Sequence, residues 1–111
     1  MFSKAVERRR AVRYGFGGAA EVIGVDSASY LVSTVSELSR FGCFVRIMDP
    51  PFSKEAGVRL RITHNRKHFE TIGSVVYTRA DGMAIAFGPV SSESQAVLES
   101  WLTEARAHST Q

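Results

Sequence analysis

The sequence predicts a mainly β fold, a six-stranded antiparallel β-barrel followed by one C-terminal α-helix. Short runs rich in β-branched and aromatic residues recur between residues 21 and 87, and turn-forming residues separate them. From residue 92 onward, apolar residues recur at helical spacing instead. With 111 residues the chain suits one domain. Closure into a barrel removes exposed sheet edges, which favours a barrel over an open sheet.

The N-terminal residues are basic and lead into a glycine-rich stretch. Arg8, Arg9, Arg10 and Arg13 lie within six positions, and residues 15–18 read Gly-Phe-Gly-Gly. An arginine run alone is typical of a solvated arm, but the guanidinium group also suits phosphate and the O6/N7 edge of guanine. We expect residues 1–18 to form a flexible arginine-rich segment with a glycine joint. Residues 19–108 are then the barrel and its helix.

The first three strands are predicted at residues 21–25, 30–36 and 43–48. Asp and Ser side chains at residues 26–29 favour a turn after the first strand. Residues 37–42 break the strand pattern, and the prolines at residues 50 and 51 end the third strand because proline cannot donate to a ladder.

Three more strands are predicted at residues 58–63, 68–78 and 83–87. Strict alternation places Val58, Leu60 and Ile62 on one face of the fourth strand. Gly73 inside the fifth strand suggests a bulge or bend, and Asp81-Gly82 suggests a tight turn with a positive φ.

The C-terminal helix is predicted to begin with a capping box of Ser92 and Gln95. Its apolar residues form one stripe that we expect to pack on the sheet. They are Val97, Leu98, Trp101, Leu102 and Ala105.

Composition and motif content narrow the function classes. A net charge of +3 is modest, so we expect neither nucleic-acid binding nor a membrane partner, and no apolar run approaches the roughly 20 residues of a membrane span. The chain lacks the apolar core of a signal peptide at its start, so a cytoplasmic protein is the default. One cysteine, Cys43, excludes an internal disulfide and is expected to be buried. His64 and His68 fall across a predicted turn and are expected to face solvent, not a metal.

Two motifs, taken in order, resemble those of the PilZ domain family, the bacterial receptor module for cyclic di-GMP. The first is RxxxR, matched by Arg9-Arg10-Ala11-Val12-Arg13. The second is (D/N)xSxxG, matched at Ser39 and Gly42 but with Glu37 at the Asp/Asn position. The resemblance covers almost the whole chain, because the barrel-then-helix order and the hairpin around Asp81-Gly82 also agree.

The sequence assembles no nucleophile, base and oxyanion hole, so we expect a binding module and not an enzyme, without cofactor or metal. The resemblance implies cyclic di-GMP as its ligand. It implies phosphate and guanine contacts for Arg9 and Arg13, guanine contacts for Glu37 and Ser39, and close backbone approach at Gly42. Arg8, Arg10 and Arg40 are secondary candidates. It also implies that the N-terminal segment becomes ordered over the ligand and presents a changed surface to a protein effector partner.

Two alternatives remain open from the sequence. A degenerate PilZ-like domain would act through protein contacts without binding nucleotide, and Glu37 favours that alternative. A small basic barrel that binds single-stranded nucleic acid needs aromatic platforms on a basic face. The aromatic residues here fall mostly at positions predicted to face the core.

Overall fold

A computed structural model describes residues 12–109 of the chain. These residues form six antiparallel strands, which close into a barrel with the neighbour order β1-β2-β3-β6-β5-β4, and one helix that follows them. The predicted fold class is therefore confirmed. The elements are β1 (Tyr14–Gly24), β2 (Tyr30–Leu38), β3 (Gly42–Arg46), β4 (Gly57–His64), β5 (Lys67–Arg79), β6 (Gly82–Phe87) and α1 (Ser92–Ser109).

The core fills the inside of the barrel, and α1 covers one end of it. Alternate residues of each strand point inward, as the alternation of Val58, Leu60 and Ile62 predicts. Leu98 and Trp101 of α1 are buried in the same core cluster. Within the described residues, no helix has the length and apolar character needed to cross a membrane.

Strand β1 begins earlier than the sequence pattern indicates. It starts at Tyr14 and runs through residues 15–18 instead of leaving a flexible joint there, and Gly15 and Gly18 pair with β2 on either side of a bulge. The strand therefore crosses the predicted boundary between residues 18 and 19. Phe16 explains the difference, since its ring packs 5.3 Å from that of Trp101 and 4.6 Å from that of His64. These contacts hold a glycine-rich segment that local propensity alone leaves free.

The sequence predicts a tight turn with positive φ values between β5 and β6, but the hairpin turn whose residues have positive φ connects β4 and β5. Asn65 and Arg66 have φ values of 52° and 67°, whereas no described glycine has a positive φ. Gly82 is needed for a different reason: a Cβ there would lie 2.4 Å from the Phe44 ring.

The helix cap also differs from the predicted capping box. The Ser91 hydroxyl accepts a hydrogen bond from the Ser94 backbone N–H at 3.1 Å, so Ser91 is the N-cap. The buried Ser94 hydroxyl in turn accepts one from the Glu70 N–H at 3.0 Å. The first turn of α1 is thereby attached to β5.

Three of the strand pairings contain an irregularity that moves side chains to the other face. The register shifts between Gly15 and Gly18 in β1, between Val35 and Glu37 in β2, and between Val75 and Tyr77 in β5. Gly73, where the sequence predicts a bulge, is instead paired regularly on both sides. An extra residue in a strand reverses the inside–outside alternation beyond it.

Candidate functional site

Two of these bulges bring Glu37 and Tyr77 to the outer face of the barrel. Strict alternation from the buried Val35 and Val75 would turn both side chains inward. With the shifts, Glu37 lies opposite Phe44 in β3, and Tyr77 lies opposite Ala84 in β6. Phe44 and Ala84 are themselves paired, so one row of outward residues runs across β2, β3, β6 and β5.

A pocket of about 140 Å³ lies on this face, which we call the β3–β6 face. Its floor consists of the small residues Gly42, Ala84 and Ala86 on neighbouring strands. Around the floor lie a carboxylate, a guanidinium group and two exposed aromatic rings. These are Glu37, Arg13, Phe41 and Tyr77. The pocket thus combines a flat apolar floor with a carboxylate and a guanidinium group.

Ser39 and Gly42 close the turn that forms one rim of the pocket. The Ser39 hydroxyl accepts hydrogen bonds from the backbone N–H groups of Phe41 and Gly42, both at 3.2 Å, and lies 3.3 Å from the Gly42 carbonyl, to which it donates. These three bonds use the hydroxyl's one donor and both acceptor sites. The Ser39 side chain therefore builds the turn.

Gly42 has a second constraint from the neighbouring strand. A Cβ at this position would lie 2.3 Å from the Ile85 carbonyl oxygen, because β3 and β6 approach closely at the Gly42–Ala86 pair. Only glycine permits this approach, and it also keeps the floor of the pocket flat.

Phe44, in the middle of the row, contacts charged and aromatic side chains, including Tyr77, whose ring centre lies 6.4 Å from that of Phe44. The guanidinium carbon of Arg79 lies 4.4 Å from the centre of the Phe44 ring, within the range of a cation–π contact. Arg79 is held there by Asp81, whose carboxylate lies 3.2 Å from its Nε and 4.0 Å from a terminal nitrogen of Arg46. This cluster keeps Phe44 buried although it points away from the core.

Comparisons with known proteins identify the family to which this fold belongs. The family model of the PilZ domain matches residues 7–104. The chain belongs to the PilZ family. No curated protein matches the sequence.

Solved structures share this PilZ fold at low sequence identity. The PilZ domain of YcgR from Escherichia coli, solved with c-di-GMP, has a TM-score of 0.74 and 12% identity over 92% of this chain and 94% of that one. The Bacillus subtilis inhibitor of motility MotI/DgrA has a TM-score of 0.75 and 16% identity over 94% of this chain, which spans 54% of its length. The PilZ domain of CeSA from a cellulose-synthesizing bacterium has a TM-score of 0.62 and 14% identity, covering 79% of this chain and 91% of that one.

The motif residues of this PilZ domain fall into three groups. Four of them line the pocket on the β3–β6 face: Arg13, Glu37, Ser39 and Gly42. Arg40 is exposed on the adjoining turn. Arg9 of the first motif and the secondary candidates Arg8 and Arg10 lie outside the described residues.

Sequence reasoning missed the part of the pocket that β5 and β6 supply. The alternation of Met83, Ile85 and Phe87 was a usable signal, because it places Ala84 and Ala86 together on the opposite, outer face. No comparable signal existed for Tyr77, which alternation would have assigned to the core.

Cys43 is buried, and His64 and His68 each make a hydrogen bond within the fold. Burial raises the pKa of the Cys43 thiol to about 12. His64 is half-buried, contrary to the expectation, with Nδ1 2.8 Å from the Gly17 carbonyl oxygen and its ring edge-on to Trp101. His68 is exposed and bonds to Thr63. Within residues 12–109, no three His, Cys, Asp or Glu side chains are grouped to hold a metal ion.

Proposed function

We propose that this PilZ domain binds cyclic di-GMP on the β3–β6 face and acts as a receptor or adaptor for a protein partner. The observation that carries the proposal is the convergence of Arg13, Glu37 and Tyr77 around one flat-floored pocket. Membership of a family of cyclic di-GMP receptors and adaptors supports it, as does the fold shared with the YcgR domain solved with that ligand.

The side chains suit a guanine base and its phosphate. Guanine carries N–H groups on one edge, which can donate hydrogen bonds to the Glu37 carboxylate. Its O6 and N7 atoms are acceptors and match the forked guanidinium group of an arginine. A floor of glycine and alanine lets a flat base lie close to the sheet, and the exposed Tyr77 ring offers a stacking partner. Ser39 and Gly42 hold the turn in the shape that this contact needs.

The pocket is too small to enclose the whole ligand. Its volume of about 140 Å³ compares with roughly 300–1,000 Å³ for sites that enclose drug-sized molecules. We therefore assign the remaining contacts to residues that precede Tyr14 and to Arg40 on the adjoining turn. Arg9 joins Arg13 in binding phosphate and guanine, and Arg8, Arg10 and Arg40 are secondary phosphate contacts.

The fold supplies a route from the ligand to the surface of the domain. Arg13 adjoins Tyr14, the first residue of β1, and two residues further Phe16 packs on Trp101 of α1. Ordering of the residues before Tyr14 over the ligand would change the surface offered to a partner. Residues 15–18 are held in β1, so the proposed order–disorder step does not involve them.

Calorimetric titration with cyclic di-GMP tests the proposal. We expect binding by the unmodified domain and a loss of at least about tenfold in affinity for Arg9→Ala and Arg13→Ala, since each removes charge-assisted hydrogen bonds of about 1.5–3 kcal/mol. Arg66→Asn is the matched control, because it removes an exposed arginine from a turn where asparagine tolerates the positive φ. Absence of heat at tens of micromolar ligand would count against the proposal.

The degenerate domain is the second candidate, and Glu37 is the observation that favours it. Glutamate is one methylene longer than the family's aspartate, so its carboxylate reaches further across the floor. Titration of Glu37→Asp separates the two candidates. Binding by Glu37→Asp at ligand concentrations where the natural domain shows none would favour the degenerate domain. Similar affinities of the two proteins would favour the receptor.

A further inference from the structure

A second outer face, formed by β2, β1, β4 and β5, has a composition unlike that of a solvated surface. We call it the β1–β4 face. One row of paired residues across these strands reads Tyr30, Ile23, Arg59 and Ile72. The adjoining row begins with Val32 and Glu21, followed by Arg61 and Glu70.

The apolar residues of this face are large and exposed. Tyr30 is 57% exposed, Val32 59%, Ile72 59% and Ile23 41%. Tyr30 and Ile23 are paired in the register, and Val32 lies two residues from Tyr30 on the same face, so these three form a connected patch. Ile72 lies in the same row beyond Arg59. Single exposed apolar residues are ordinary, but a connected patch on a sheet marks an interaction surface.

Among the residues that the structure describes, one acid and one base of this face have no ion-pair partner. Arg61 pairs with Glu70, with Nε 3.4 Å from the carboxylate. Glu21 and Arg59 make no ion pair with any residue of the described range. They lie in adjacent rows of neighbouring strands, with the exposed apolar residues around them.

The shape of the face is also uneven. An open groove of about 960 Å³ lies between the outer surface of β4 and β5 and the start of α1, bounded by Pro89 and Val97. Arg59 and Ile72 lie in this groove. Tyr30 and Val32 stand on the other side of β1, where they project from β2. The face thus carries both a groove and projecting apolar side chains.

We propose that the β1–β4 face is the interface of a two-fold homodimer. In a two-fold interface each surface meets its own copy, so it must complement itself. This face does so in charge, because Arg59 of one copy can pair with Glu21 of the other, twice per dimer. It does so in shape, because the projecting Tyr30 and Val32 of one copy can enter the groove of the other. A surface that binds a different protein need not carry unpaired charges of both signs. Because this face carries both, we take a second copy of the chain as the partner.

Sedimentation equilibrium of the whole chain without nucleotide tests the dimer. Between about 1 μM and about 200 μM we expect a reversible monomer–dimer equilibrium. Glu21→Arg places two like charges at each contact, as does Arg59→Glu, so each is expected to weaken the dimer at least about tenfold. The matched controls Glu104→Arg and Lys54→Glu make similar charge changes at exposed positions outside the face and should leave the equilibrium unchanged.

Mixing the two variants is the decisive step. Glu21→Arg presents two arginines and Arg59→Glu presents two glutamates, so an equimolar mixture is expected to form a heterodimer although neither variant dimerises well alone. The double variant Glu21→Arg/Arg59→Glu should recover the homodimer. Thermal unfolding of each variant verifies that it is folded.

Three outcomes overturn the proposal. They are a monomeric natural chain over the whole range, single variants that dimerise like the natural chain, and a mixture that stays monomeric. Because the face shares no residue with the nucleotide pocket, none of these results bears on the proposed binding of cyclic di-GMP.

Discussion

Ser39 and Gly42 hold each other across the turn between β2 and β3. The Ser39 amide donates to the Gly42 carbonyl at 2.9 Å, and the Gly42 amide donates back to the Ser39 hydroxyl at 3.2 Å. A serine and a glycine three residues apart are therefore what this turn needs in order to close. Of the second motif's three residues, Glu37 is the one whose side chain is not used in closing the turn.

Replacement of Ser39 by alanine is expected to destabilise the fold. The amides of Phe41 and Gly42 would lose their hydroxyl acceptor in a partly buried turn, at a cost of about 1–3 kcal/mol. Urea denaturation measures this loss. Ser39→Thr, which keeps a hydroxyl, is the control and should lose less. Equal stability of Ser39→Ala and the natural domain would mean that the hydrogen bonds are unimportant.

Gly42→Ala is expected to cost more than an alanine at another strand glycine. The new Cβ would lie 2.3 Å from the Ile85 carbonyl oxygen, so β3 and β6 would have to separate locally. Gly17→Ala in β1 is the matched control, because a Cβ there meets no atom within 4 Å and alanine reduces the entropy of the unfolded chain. We expect a loss of about 2 kcal/mol or more for Gly42→Ala and a change within about 0.5 kcal/mol for the control. Chemical denaturation of the two variants compares them, and similar losses would contradict the strand contact.

Tyr77→Ala tests whether the ring contributes to the proposed binding of nucleotide. Stacking of a base on an aromatic ring is worth about 1–3 kcal/mol, so affinity for cyclic di-GMP should fall by about 5- to 150-fold. Tyr30→Ala removes an exposed tyrosine far from the pocket and should bind normally. Calorimetry on both variants, with arginine variants as reference, distinguishes a stacking role from general loss of fold. An unchanged affinity for Tyr77→Ala excludes that role.

The Cys43 thiol is expected to be unreactive in the folded protein. Burial raises its pKa from 9.0 to about 12, so at pH 8 the native thiol stays neutral and a disulfide reagent should label it only after unfolding. As this is the chain's one cysteine, labelling stoichiometry reports it directly. Rapid labelling of the native domain would show that Cys43 is accessible.

The raised pKa of the Cys43 thiol also predicts how the stability of the fold depends on pH. Between about pH 9 and pH 12 the unfolded chain releases the thiol proton while the folded chain keeps it, so stability should fall as pH rises through this window. Below pH 9 the contribution is fully present. In Cys43→Ala this part of the decline should be absent, which denaturation curves at pH 8 and pH 10.5 can measure. Identical pH slopes for the two proteins would contradict the buried thiol.

The sequence by itself determined the barrel, the helix and the order of the motifs. Alternation places Val58, Leu60 and Ile62 inside, and a 3.6-residue period places Leu98 and Trp101 against the core. Both patterns are local, because burial repeats with the period of each element. Four motif residues that line the pocket also follow from the sequence alone, since each has its position in a short pattern. They are Arg13, Glu37, Ser39 and Gly42.

Only the tertiary structure decided which side chains surround the pocket and what Ser39 does. A bulge reverses the alternation beyond it, so the outward positions of Glu37 and Tyr77 depend on pairing with β3 and β6, which no local pattern specifies. The early start of β1 depends on the contact of Phe16 with Trp101, 85 residues later in the chain (101 − 16). Long-range pairing and packing override local propensity at these places, and the bulges at Glu37 and Tyr77 are where the proposed site lies.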